Sequence, residues 1–358
     1  MQSFELDCSI IRGGTTKGVF LDTRQLPNDD LLRDKIILSL FGSPDRRQIN
    51  GLGGADPLTS KVALISPSDH PDADIDYRSG EVGIDEASIN YSTMCGNLAS
   101  GAALYARHKG LIKKEAGQDY IRIRNINTGK FLRANMPSND PIQCEEIDGV
   151  RGWGFEINLG FLKPEGPISG KLLPTGSVRD QIESKMGVID VSIIDCGTLY
   201  CFINAKDFGL SGDESPEQID LNLPVRDAIE TLREDVAKRV TQLQNQQFTH
   251  KHIKMALISA ASDANESDIR ARVVNRYMTH KAYPVTGAIC LSAAASLPKS
   301  IVNSFLIRPA SGFIRIAHPR GIIETQSELE HGEELSIICT SIKRTARLLM
   351  EGKTRVFI

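Results

Sequence analysis

The sequence lacks any apolar run approaching the roughly 18 residues that a bilayer-spanning helix needs. Its start, MQSFELDCSIIRGG, carries acidic residues where a signal peptide would need an apolar core. No membrane partner and a cytoplasmic location are therefore expected. A surplus of positive charge is also missing: 42 Lys and Arg face 45 Asp and Glu, for a formal net charge of -3, so nucleic acid finds no electrostatic footprint. The seven cysteines, at 8, 95, 144, 196, 201, 290 and 339, are odd in number and lack metal-ligand spacing, which argues against a disulfide framework and a structural zinc. Cys196 and Cys201, close together in a strand-like segment, are expected as core thiols. Absent too are GxxxxGK followed by Ser or Thr, GxGxxG after a strand, HExxH and CxxC, so no nucleotide or metal cofactor is expected.

What is present is the stretch 91–111, YSTMCGNLASGAALYARHKGL, in which Cys95-Gly96-Asn97 opens a run of small and apolar residues with almost no polar face. Such a helix has to be enclosed by other structure. At its start, unpaired N–H groups and the positive end of the helix dipole favour an anion and lower a thiol's pKa. Taken alone, Cys95 is more readily a buried structural thiol than a catalyst.

Two strands around a bend at Gly13-Gly14 are expected in 4–21, then a helix at 29–41 and a Gly-, Pro- and Asp-rich loop at 42–60 that delivers Ser60-Lys61 to a strand at 62–65. A strand at 75–82, the cysteine helix, a hairpin at 120–125 and 130–136, a strand at 153–162 and a helix at 178–186 follow. From 188 onward the same order of events recurs. SIIRGGT at 9–15 lines up with SIIDCGT at 192–198, and VFLD at 19–22 with CFIN at 201–204. Thr286-Gly287-Ala288 opens an apolar stretch as Cys95-Gly96-Asn97 does, and RIRNINTGKFLRA finds its partner in FLIRPASGFIRIA, with Thr128-Gly129 opposite Ser311-Gly312. The ending repeats as well, a helix at 341–351 and a strand at 354–358 answering 178–186 and 189–194. An offset of about 183 residues at both ends implies a duplicated domain. The expected division is 1–187, completed by the C-terminal strand 352–358, and 188–351. Each half is an α/β (α+β) domain of strands wrapped around one apolar helix, with the active site expected in the cleft between the halves.

Lys61 and Cys95 each stand where a loop meets a regular element in the same half. A lysine in a partly dehydrated site can lose its proton near neutral pH and a helix-terminal cysteine can hold a thiolate, so either suits proton abstraction beside a carboxylate-stabilised carbon. Taken alone, Lys61 is more readily a solvated surface lysine. Anions have two natural homes, the N–H groups of Gly96 and Asn97 and those of Gly287 and Ala288, and a polycarboxylate would fit both. Gly53-Gly54 and Gly13-Gly14-Thr15-Thr16 offer further backbone donors, although bare glycine pairs are commonly just turns. His280 precedes the second apolar helix by six residues.

The elements IIRGGTTKGVFL, GSPDRRQINGLGGADPLTSK, MCGNLASGAALYA, HKAYPVTGA, PASGFIRI and RTARLLMEG resemble, in order and across nearly the whole chain, the PrpF family of the diaminopimelate-epimerase-like fold. The resemblance implies two similar domains, each a rolled, mostly antiparallel sheet around a central helix. It implies a cofactor-independent isomerase that shifts a double bond in an unsaturated di- or tricarboxylate such as aconitate, methylitaconate or oxalomesaconate. The family's catalytic lysine and cysteine map onto Lys61 and Cys95. The expected substrate-binding set around them is Thr15, Thr16, Gly54, Ser60, Gly96, Asn97, His280, Thr286, Gly287 and Ser311. Epimerases of this fold bring a cysteine from each half, whereas this chain has Thr286 at the second position and Cys290 one turn further in, where a core role is expected. An allylic proton shift is thus preferred to two-thiol racemisation. The resemblance leaves a second reading open, a non-catalytic polycarboxylate-binding accessory protein of an aconitase-like iron–sulfur dehydratase. A small-molecule polycarboxylate is the expected partner in both, and a homodimer is compatible with either.

Overall fold

The run after Cys95 forms a helix whose residues are almost all buried, so enclosing it dictates the architecture around it. The computed structural model describes residues 2–91, 94–112, 120–136, 144–244, 246–276, 278–308, 312–331 and 335–358. The chain divides into two compact units, Met1–Phe161 with Lys343–Ile358, and Leu162–Ile342. The first contains β1 (Ser3–Gly13), β2 (Thr16–Asp22), α1 (Asp30–Phe41), β3 (Lys61–Pro67), β4 (Ile75–Val82), β5 (Ile89–Asn90), α2 (Gly96–His108), β6 (Tyr120–Asn125), β7 (Phe131–Asn135), β8 (Cys144–Glu145) and β9 (Gly154–Leu162). The second contains β10 (Asp180–Ser184), β11 (Gly187–Cys196), β12 (Thr198–Asn204), α3 (Pro216–Leu221), α4 (Leu223–Gln244), β13 (Lys254–Ser259), β14 (Ile269–Val274), α5 (Val285–Ser296), α6 (Ile301–Phe305), β15 (Ile314–His318) and β16 (Gly321–His331). The last strand, β17 (Leu335–Phe357), begins in the second unit and continues into the first.

The duplication is visible in the strand pairings. In the first unit β1–β2 is antiparallel, β2–β3 parallel, β3–β4 antiparallel, β4–β6 parallel, and β6–β7 and β7–β9 antiparallel. The second unit repeats this order from β11 through β12, β13, β14, β15 and β16 to β17. In each, the buried helix, α2 or α5, is inserted after the fourth strand of the series. The sheet of the first unit closes on itself because β17 pairs with both β1 and β9. On its outer face, Asp29 caps α1 by accepting the Leu32 N–H at 2.7 Å. The helix there buries Ile36, Ile37, Leu40 and Phe41 against Val19, Leu21, Val62 and Leu64. In the second unit α4 packs likewise, with Ile229, Leu232 and Val236 against Val191, Ile193 and Met255. No helix among the described residues is long and apolar enough to cross a membrane.

Four expectations are corrected. Residues 178–186 contain the strand β10, not a helix: burial alternates from Asp180 to Glu183, and a turn at Gly187, with φ of 103°, returns the chain as β11. Residues 341–351 are part of β17, also not a helix. RTARLLME has helical propensity, but pairing with β1 from Gly13 back to Ser3 overrides it. In FLIRPASGFIRIA, the strand Ile314–His318 is the first of its hairpin, paired with β16, instead of the second. Ser311 lies outside the described residues. The division between units falls at Phe161/Leu162 and not at 187/188, because β10 pairs with β11.

Candidate active site

Strand β4 reads IDYRSGEV, and its alternation puts Tyr77, Ser79 and Glu81 on one face. That face is the one α2 covers. The Ser79 hydroxyl oxygen accepts the Cys95 N–H at 3.0 Å, and the Tyr77 hydroxyl donates to the Cys95 carbonyl at 2.9 Å. Both sides of the cysteine's backbone are therefore held by one strand. Two residues further along, Glu81 pairs directly across from Lys61, the first residue of β3, and its Oε2 lies 2.7 Å from Lys61 Nζ. The Lys61 side chain is only 12% exposed. Successive same-face positions on a strand are about 7 Å apart, so β4 is a ruler that sets Lys61 and Cys95 at neighbouring marks.

Cys95 is the N-cap of α2, in extended conformation, and its side chain makes no capping hydrogen bond. The thiol is thus not engaged by the helix, and the first-turn N–H groups receive no side-chain acceptor from the N-cap. Burial, and next the electrostatic influence of the neighbouring Cys95, hold the Tyr77 phenol well above its usual pKa, which keeps it a hydrogen-bond donor to this backbone. A close approach fixes the opposite wall of α2. A Cβ on Gly13 would lie 2.4 Å from the Asn97 carbonyl oxygen, and one on Gly14, whose φ is 51°, would lie 2.2 Å from Asn97 Oδ1. Only glycine lets the β1–β2 turn pass there.

Of the other expected residues in this unit, Thr15 is exposed and accepts Asn97 Nδ2 at 3.2 Å. Asn97 Oδ1 is buried with no partner among the described residues. Gly96 and Thr16 are buried and Gly54 is exposed. Ser60 is fully buried, and its hydroxyl donates to Gln48 Oε1 at 2.6 Å; Gln48 also accepts the Ala55 N–H and donates to Ser43, so this group pins the loop that leads into Lys61. The structure therefore brings Lys61, Cys95, Gly96, Asn97 and Thr15 together in the first unit.

His280, Thr286 and Gly287 belong to the second unit. His280 Nδ1 accepts the Ala282 N–H at 3.1 Å, and burial pushes the ring's pKa down. Thr286 is the second residue of α5, and a Cβ on Gly287 would lie 2.5 Å from the Tyr200 hydroxyl. Cys290 is fully buried and its thiol donates to the Ile194 carbonyl at 3.3 Å, which makes it a core residue. Cys196 and Cys201 are buried too. Among the described residues no group of three or more His, Cys, Asp or Glu is arranged to hold a metal ion.

Tyr77, Ser79 and Glu81 were not singled out from sequence. The signal available was three polar residues spaced two apart in a strand that runs into the cysteine segment.

The PrpF protein family model matches residues 3–357. The chain is 36% identical over 368 residues to 3-methylitaconate isomerase of Eubacterium barkeri, covering 97% of this chain and 96% of that one. Among solved structures, a methylitaconate-delta-isomerase superposes with a TM-score of 0.89 at 35% identity, covering 99% of this chain and 96% of that one. A hydroxyproline epimerase from Agrobacterium vitis shares the fold alone, at 12% identity and a TM-score of 0.53, over 98% of this chain and 92% of that one.

Proposed function

The chain belongs to the PrpF family, and we propose that it is an isomerase that moves a C=C double bond along an unsaturated di- or tricarboxylate by an allylic proton shift between Lys61 and Cys95. The single observation that carries the pairing is the β4 face on which Ser79 holds Cys95 and Glu81 holds Lys61. One of the two groups takes a proton from carbon alpha or gamma to a carboxylate. The electron pair of the broken C–H bond enters the conjugated system as dienolate charge. The other group then delivers a proton to the far allylic carbon, and the double bond lies one position along. Substrate and product have the same atoms, and the two side chains are left with exchanged protonation that solvent resets.

The uncapped N–H groups at the start of α2 stabilise the charge that develops on the carboxylate, an interaction stronger in the transition state than in the ground state. A thiol delivered from only one helix start suits proton transfer along a face of the substrate and not inversion of a stereocentre. The named isomerase relative and the solved isomerase structure support the reaction class. The test is proton NMR in deuterated buffer with trans-aconitate, cis-aconitate and methylitaconate. The wild type is expected to wash deuterium into one of them and to move its double bond. Lys61→Ala and Cys95→Ala are each expected to slow this by about 10²- to 10⁴-fold, the range of general acid–base catalysis. Wild-type rates in both variants would sink the mechanism.

A further inference from the structure

Arg344, on β17 in the first unit, is a buried guanidinium without a counter-ion among the described residues. It is 9% exposed, its Nε is buried with no partner, and its Nη1 reaches only the neighbouring Lys343 carbonyl at 2.8 Å. Other buried arginines are compensated. Arg33, Arg226 and Arg233 each pair with a carboxylate. Arg12 reaches Gly14, Thr345 and Trp153, and Arg272 reaches the carbonyls of Glu214 and Ala271. No described carboxylate forms an ion pair with Arg344, and burial alone lowers its pKa to about 9.

Its placement gives the missing anion a direction. Ala346 lies opposite Gly13 on β1, and Gly13 faces the first turn of α2 at Asn97. Further back along β1, Ile11 faces Gly101, so α2 runs from Gly13 toward Ile11. Strand alternation puts Arg344 on the face of Ala346, about 7 Å further in the opposite direction. It therefore lies past the N-terminal end of α2, on the side to which the uncapped N–H groups and the positive end of the helix point.

We propose that the Arg344 guanidinium receives one carboxylate of the substrate, a planar two-oxygen anion, at the N-terminal end of α2. The inference rests on the isomerase reading for the identity of the ligand. The fork of two N–H donors matches a carboxylate bidentately, and ligand binding supplies the charge that the described residues do not. The carboxylate so held is one that carries dienolate charge or one that fixes the substrate's remote end.

The test is calorimetric titration of the full chain with tricarballylate, a saturated tricarboxylate that has no double bond to move. Arg344→Met is expected to bind at least tenfold more weakly than wild type, with Tm unchanged or raised because an uncompensated buried charge is gone. Equal affinity in the variant, or no tricarballylate binding by the wild type, overturns the assignment. Should Arg344→Met not fold, Arg344→Lys replaces it. That variant keeps a charge but not the fork, a severalfold loss is expected, and unchanged affinity overturns the assignment. Wild-type deuterium exchange is measured in parallel. Exchange alongside Arg344-independent binding removes the Arg344 role and leaves the isomerase; Arg344-dependent binding without exchange of any substrate does the reverse.

Discussion

Glu81 is the residue whose role depends most on the register of two strands. Its carboxylate fixes Lys61 Nζ, and a displacement of about 1 Å in a reacting group can cost about 10²-fold in rate. Glu81→Gln is therefore expected to lower kcat by about tenfold or more while KM changes little; a kcat equal to wild type would show that Lys61 is positioned by other contacts. Lys61 and Cys95 were legible in the sequence because each sits where a broken loop meets a regular run, and the family resemblance joined them. Glu81 and Arg344 were not legible, because what matters about each is a neighbour, or a missing neighbour, set by pairing. Arg344 also falls inside the helix expected at 341–351, which gives it no strand neighbour. Only in β17 does alternation turn it toward the enclosed helix.

Glycine decides whether α2 can lie where it does. Gly13 allows the Asn97 carbonyl to approach, and a Cβ on Gly101 would lie 2.6 Å from the Phe20 ring. Gly13→Ala is expected to cost about 1–3 kcal/mol, the range for overpacking a filled site, measurable as a lower midpoint in urea. An unchanged midpoint would mean that the helix start yields at no cost. At this scale, elements with strong local signals were read correctly, among them α1 with its Asp29 cap and β4, whose limits are Ile75 and Val82. The failures have one cause. Segments 178–186 and 341–351 carry helix-forming residues, yet each lies beside a strand, β11 or β1, that needs an antiparallel neighbour. Nothing within either segment reveals that neighbour.

Over the whole molecule, duplication was the feature most legible in the sequence, and it shows most fully in the shared order of parallel and antiparallel pairings. Repeated motifs such as SIIRGGT and SIIDCGT mark the same β-turn-β corner in each unit. The second-half hairpin was misaligned by one strand because RIRNI and FLIRP are alike in pattern, while Arg122 to Asn125 lie in β6 and Phe305 ends α6. Deleting 353–358 removes the partners of Ser3 to Asp7 on β1, and with them Val356 from the core against α1. The truncated chain is expected to be cut by trypsin within 2–24 under conditions that leave the full chain intact. Equal resistance would show that β1 holds without this pairing.

The course of β17 also bears on how the protein is made. Residues 162–342 form the second unit in one continuous piece, whereas the first needs residues from both ends of the chain. Domains emerging from the ribosome ordinarily mature from the N-terminus onward. Here residues 1–161 wait, with one flank of β1 unpaired, until residues 343–358 have left the exit tunnel. The second unit is complete before them, so the order of maturation is the reverse of the order of synthesis, and Lys61 on β3 and Cys95 at the start of α2 belong to the unit that is enclosed last.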